Sequence, residues 1–216
     1  MIIEIVYDNE ARSGLQSDWG FAALIRKDEN ILFDTGTKVS ILRNNMEKMG
    51  IGIDEIDKVV LSHEHHDHVG GLDCVLSEDL EVFVPVEFSS KIKNKIERTA
   101  LLNSVSGPQR ISKGIYTTGG LKGHAVEQSL VIELMQGVAV VTGCAHPGLV
   151  RILEASKGYG DIRAVIGGFH GFDEYEALED VEKIVPCHCT KNKIKIKRRF
   201  EEKTIDCFAG LKIEME

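Results

Sequence analysis

Four histidines and two acids occupy six consecutive positions, His63-Glu64-His65-His66-Asp67-His68, and half of the chain's 8 histidines fall there. Imidazole nitrogens and carboxylate oxygens at this density are the donors of a zinc site, or of iron or manganese where oxygen dominates. The cluster follows an apolar run, Val59-Val60-Leu61, that reads as a buried strand. On an extended backbone His63 and His65 point the same way, while Glu64 and His66 alternate with them and face away. Asp67 and His68 follow as the chain turns, and Gly70-Gly71 permits a tight backbone there. Two His on one side and an Asp-His pair on the other can feed two adjacent metals. A solvated polar loop is the bland reading, and so many histidines together weigh against it.

Further along, one device repeats: a short apolar strand, small residues, then a His. Residues 138–142 lead into Gly143-Cys144-Ala145-His146-Pro147-Gly148, and His146 is the next candidate metal ligand. Residues 163–166 lead into Gly167-Gly168-Phe169-His170-Gly171, and residues 184–185 into Pro186-Cys187-His188-Cys189-Thr190. The repeat gathers several His at one edge of the core, as a site held by a sheet scaffold requires. Cys187-His188-Cys189 could also be read as a separate zinc or redox element, but Cys-x-Cys is a poor structural-zinc spacing. Residues 31–33 end in Asp34-Thr35-Gly36, which by itself is a turn cap as readily as a functional element.

The pattern His63-x-His65-x-Asp67-His68 after a short strand resembles the signature of the metallo-β-lactamase superfamily. His65 separates it from flavodiiron oxidoreductases, which carry Glu there. Further segments resemble the dihydropterin-ribofuranosylaminobenzene-phosphate synthase-like metallohydrolase branch: Asp8-Asn9, Phe33-Asp34-Thr35-Gly36, Thr142 to Gly148, Ile166 to His170 and Pro186 to Thr190. The resemblance implies an α/β fold, the αβ/βα four-layer sandwich of two mixed sheets with helices outside. It implies His63, His65 and His146 on one metal, and Asp67, His68 and His188 on a second. It implies that Asp34 orients a histidine ligand through its other ring nitrogen. Cys187 stands where the superfamily has Gly. The superfamily's bridging Asp has no counterpart, and Cys144 or His146 falls near its place, which leaves the second-metal geometry open.

The elements that must position these residues are legible in part. Residues 2–7, 21–25 and 31–33 read as strands. Apolar residues at 39, 42, 46 and 49 have helical spacing, with Gly50 as the stop. A helix is expected from Gly71-Leu72 onward, and a strand over 80–84. Residues 86–113, basic and polar, read as the most irregular stretch, a lid or insert, or else a connector. Strands follow at 115–117, 128–134 and 138–142, and a helix over 149–156. The basic stretch 191–199 reads as a solvated helix, with a phosphate or nucleic-acid contact as the sharper alternative. A last strand lies at 205–208 or 211–213.

The 216 residues suit a single domain, and 43% hydrophobic with 28% charged residues describes a globular chain. A net charge of −8 argues against a surface built for nucleic acid, and no apolar run approaches a membrane span. An acid within the first apolar run and no basic region before it argue against a signal peptide, so the 5 cysteines are expected as free thiols in the cytoplasm. The expected function is a metal-dependent hydrolase using a metal-activated water on an ester, lactone or phosphoester, with a pterin or phosphate-bearing metabolite as a candidate substrate. Its cofactor is zinc, one or two ions, with manganese, iron or nickel as alternatives. Asp67 could accept the water's proton, and His170 could be a ligand, a proton donor or a substrate contact. The partner is a small molecule and not nucleic acid or membrane. An iron-dependent redox enzyme and a nucleic-acid-processing hydrolase are the alternatives.

Overall fold

The computed structural model describes residues 1–216. In chain order the strands and helices are β1 (Ile2–Tyr7), β2 (Ala22–Arg26), β3 (Asn30–Phe33), α1 (Val39–Met49), β4 (Lys58–Val60), α2 (His66–Val69), β5 (Glu81–Pro85), α3 (Ser90–Glu97), β6 (Leu101–Val105), β7 (Gln109–Ser112), β8 (Ile115–Thr117), β9 (Leu130–Glu133), β10 (Val138–Thr142), α4 (Leu149–Ser156), β11 (Ile162–Gly168), β12 (Lys183–Cys187), α5 (Lys193–Arg199) and β13 (Lys212–Glu214). They fall into two compact units: residues 1–106 with 208–215, and residues 107–207 with Glu216.

The N-terminal unit holds a seven-stranded mixed sheet in the order β13-β1-β2-β3-β4-β5-β6. Strands β13, β1, β2 and β3 pair antiparallel, whereas β3, β4, β5 and β6 run parallel. Parallel neighbours end along the same edge, so the residues after β3 and β4 emerge together. The apolar stripe of α1 buries Leu42 and Met46 against Val6, Leu24, Leu32 and Val59. Its stop is the expected one: Gly50 adopts a left-handed φ of 71°, and its N–H returns to the carbonyls of Glu47 and Met46.

The C-terminal unit holds a six-stranded mixed sheet in the order β12-β11-β10-β9-β8-β7. Here β10, β11 and β12 run parallel, and the remaining pairs are antiparallel. Helix α4 buries Leu149, Ile152 and Leu153 against Val140, Val165 and Ile184, and Ile196 of α5 joins the same cluster. Gly167, at φ 125°, allows β11 to pass β10, because a Cβ there would lie 1.9 Å from the Thr142 carbonyl oxygen.

Three sequence expectations need correction. Residues 86–113 are not irregular: they form α3, β6 and β7. Both strands border their sheets, so their side chains are largely exposed and lack the alternation that announces a strand. The helix expected from Gly71-Leu72 onward is a single 3-10 turn, Leu72–Cys74, and a separate turn of α-helix, α2, precedes it, where the His65 carbonyl accepts from His68 N at 2.9 Å and Val69 N at 3.2 Å. Of the two places offered for the last strand, the second holds, one residue later.

Candidate metal centre

In the N-terminal unit the donors come from one loop. His63 follows β4, His65 is extended (φ −68°, ψ 144°), and Asp67 and His68 lie on the single turn of α2. The rings converge: the centroids of His63 and His65 are 4.6 Å apart, and those of His63 and His68 are 4.2 Å apart.

One fully buried carboxylate orders this loop. Asp34 Oδ1 accepts from Ser62 N at 2.7 Å, and Oδ2 accepts from Ser62 Oγ at 2.7 Å and faces His68 Nδ1 at 2.6 Å. Against a carboxylate, Nδ1 of His68 must carry the proton, which turns the Nε2 lone pair outward as the donor. The Ser62 hydroxyl spends its single proton on Asp34. Its oxygen therefore accepts from His63 Nδ1, 2.9 Å away, and His63 takes the same tautomer. Glu64 turns away as expected and accepts from Ser89 N at 2.6 Å and from the Ser89 hydroxyl.

In the C-terminal unit the candidates leave three strand ends. Cys144 and His146 follow β10, His170 follows β11 and His188 follows β12. The Cys144 sulfur lies within 4.8 Å of a His188 ring nitrogen, and the His146 and His170 ring centroids are 5.4 Å apart. Cys187 and Cys189 pack in the core around His188, and all five cysteines are free and buried. Burial first, then the neighbouring His146 and Lys191, hold His170 below the ordinary histidine value, so it is neutral at pH 7. His124, His146, Phe169 and His170 line a cavity of about 350 Å³.

The buried carboxylate of this unit is Glu127, which the sequence reading missed. Its Oε1 accepts from Thr142 Oγ1 at 3.0 Å and from the N–H groups of Cys144 and Ala145 at 2.9 Å. Its Oε2 accepts from His146 N and faces His146 Nδ1, both at 2.9 Å. His146 is thereby fixed with Nδ1–H and presents Nε2, as His68 does. Nothing in the sequence near His146 announces this: Glu127 stands 19 positions earlier, one acid among 34.

The non-glycine residues with positive φ are Asp34 (60°), Ala145 (56°), His170 (47°) and His188 (40°). Each costs on the order of 1–3 kcal/mol, and such conformations concentrate where function dictates geometry. All four lie at strand ends that carry the site candidates.

Comparison with known proteins agrees with this architecture. The sequence profile of the metallo-β-lactamase superfamily matches residues 14–78, the span that contains Asp34 and the histidine loop. The chain is 29% identical to Tm1679, a metal-dependent hydrolase of the β-lactamase superfamily; their structures superpose with a TM-score of 0.86 over 100% of this chain and 99% of that one. Over residues 14–78 the chain is similar to the metallo-β-lactamase superfamily. Its two mixed sheets with helices are those of the metallo-β-lactamase fold. It also resembles two proteins of Methanocaldococcus jannaschii. One is 7,8-dihydropterin-6-methyl-4-(beta-D-ribofuranosyl)-aminobenzene-5'-phosphate synthase, 29% identical over 81% of each chain. The other is uncharacterised, 29% identical over 88% of this chain and 90% of its own. No helix here is long and apolar enough to cross a membrane.

Proposed function

We propose that the chain is a metal-dependent hydrolase acting on an ester, lactone or phosphoester of a small molecule. In this reading His63, His65, Asp67 and His68 are metal donors of the N-terminal unit, and His146 and His188 are metal donors of the C-terminal unit. The observation that carries it is the twinned carboxylate–histidine pair. Asp34 and Glu127, buried in different units, each fix the Nδ1–H tautomer of a candidate ligand. Structural histidines do not require that arrangement twice, whereas metal ligands regularly have it. The donor set of imidazole, carboxylate and the Cys144 thiol fits zinc better than magnesium or calcium.

A divalent ion so held supplies Lewis acidity: it lowers the pKa of water and polarises a carbonyl or phosphoryl oxygen. The chain's own residues do the rest. Asp67 takes the proton of the attacking water, its carboxylate held by the Trp19 indole N–H at 2.9 Å. Neutral His170 offers a hydrogen bond to the leaving group. The resemblance to an enzyme named for a pterin and a phosphate supports a phosphate-bearing metabolite as substrate. Of the five cations on the basic helix α5, two are paired: Lys197 with Asp206, and Arg199 with Glu176 and Glu179. The net charge of −8 favours a small molecule over nucleic acid. Five buried free thiols support a cytoplasmic location.

The test is turnover of protein purified without added metal, before and after chelation, on a phosphomonoester, a phosphodiester, a carboxylic ester and a lactone. The reading predicts chelator-sensitive hydrolysis of at least one, restored by zinc. Bound iron with oxygen consumption and no hydrolysis would replace it with the redox reading.

A further inference from the structure

His146, His170 and His188 follow strand ends, whereas the remaining histidine of the C-terminal unit, His124, stands on a hairpin. Its segment is Leu121-Lys122-Gly123-His124-Ala125-Val126-Glu127, and the last residue is the carboxylate that orders His146. Leu121 N donates to Glu127 O at 2.9 Å, and Glu127 N donates to Leu121 O at 3.1 Å, which closes the hairpin. Arg151 of α4 donates from Nη1 to the Lys122 carbonyl at 2.8 Å. Gly123 brings the hairpin against the His146 loop, since a Cβ there would lie 2.3 Å from the His146 carbonyl oxygen. One hairpin thus fixes His146 from its base and holds His124 at its tip.

His124 lines the cavity of about 350 Å³ together with His146 and His170, and Phe172, Asp173 and Glu174 line it from the loop after β11. That volume lies within the range of ligand pockets, about 300–1,000 Å³. His124, Asp173 and Glu174 are exposed, and their side chains make no hydrogen bond or ion pair within the protein. Phe172 is buried, set edge-on to Phe169 and Tyr175. The chemistry of this lining selects among occupants. An anionic group would face two carboxylates of its own sign. An ammonium would suit those acids but would sit beside the metal ion assigned to His146. A plain alkyl group would strip water from three polar side chains and give them no partner. Neighbouring hydroxyls meet none of these objections. They donate to carboxylates, as sugar hydroxyls do to acids in dinucleotide sites, and an imidazole can accept from one and donate to another.

We propose that this cavity binds a polyhydroxylated part of the substrate, carried on the leaving group, and that His124, Asp173 and Glu174 are the specificity-determining residues that select for its hydroxyls. The proposal rests on the hydrolase reading and narrows its substrates to esters or phosphoesters of a sugar or polyol. The competing role of His124 is to shape the hairpin, with no contact to a ligand.

Three non-hydrolysable phosphonates of equal chain length separate these roles: 3,4-dihydroxybutylphosphonate, butylphosphonate and 4-aminobutylphosphonate. Affinities are measured calorimetrically on the zinc-loaded wild type, His124→Ala, His124→Gln and the double variant Asp173→Ala/Glu174→Ala, with metal content determined on the same samples. The subsite predicts that the wild type prefers the diol to butylphosphonate by about tenfold or more, the size of one or two hydrogen bonds to charged groups. His124→Ala lowers that ratio by about threefold or more, and the double variant brings it close to one. His124→Gln, which keeps a donor and an acceptor, restores most of the ratio lost in His124→Ala. A wild-type ratio near one with metal bound, or a ratio that none of the variants changes, overturns the subsite and leaves the hydrolase reading standing. Tighter binding of 4-aminobutylphosphonate than of the diol overturns the assignment to hydroxyls in favour of an amine. A metal-loaded wild type that binds none of the three overturns the subsite alone. A wild type that takes up no metal overturns the hydrolase reading and the subsite together.

Discussion

In the N-terminal unit the candidate donors lie on six consecutive residues, and the carboxylate that orders them ends the neighbouring parallel strand. In the C-terminal unit they lie on three strand ends separated by about twenty residues each, and their carboxylate comes from the segment that precedes a fourth strand, β9. Both units reach the same local chemistry, an imidazole fixed at Nδ1 by a buried acid. The difference is in what supports it. The first loop is ordered by Asp34 together with its own helical turn and Ser62. The second depends on one side chain, Glu127, which accepts five hydrogen bonds, and on three strained residues, Ala145, His170 and His188. A contiguous site tolerates local damage better than a dispersed one.

The substitution with the largest expected effect is Gly167→Ala. Its Cβ would meet backbone, the Thr142 oxygen at 1.9 Å. Urea denaturation should show a loss of at least about 3 kcal/mol for Gly167→Ala. A loss under about 1 kcal/mol would show that the C-terminal unit is the more adaptable. Next comes Glu127→Ala, which orphans buried backbone N–H groups and should cost roughly 3 kcal/mol or more. Asp34→Asn, which keeps one acceptor and the shape, should cost less in stability and about 10–100-fold in metal affinity, read by competition with a chelator. Equal destabilisation by both would erase the distinction between the units. The smallest effect belongs to Ser62→Ala. It removes the hydroxyl between Asp34 and His63 and should cost about 1 kcal/mol while leaving His68 in place.

This asymmetry also governed what the sequence could reveal. The histidine loop was legible because its candidate donors fall on six consecutive residues after an apolar run. Helix α1 was placed at Val39–Met49 by its 3–4 spacing and by Gly50. Strand β10 and helix α4 lie where the apolar pattern put them. Asp34 was found because it belongs to a recognisable strand-end motif. Glu127 was not, because its partners are 15 to 19 residues away and only tertiary folding joins them. Trp19 was passed over for a related reason: its tie to Asp67 spans 48 positions. Strands β6 and β7 were read as irregular because edge strands leave few side chains buried to mark their register.

The central claim is that the histidines of each unit bind metal. The most direct test is elemental analysis of protein purified without added metal, for the wild type, His63→Ala in the N-terminal unit and His188→Ala in the C-terminal unit. The account predicts two divalent ions per wild-type chain and a lower content in each variant. A metal content unchanged by His188→Ala, or no metal in the wild type, would contradict it.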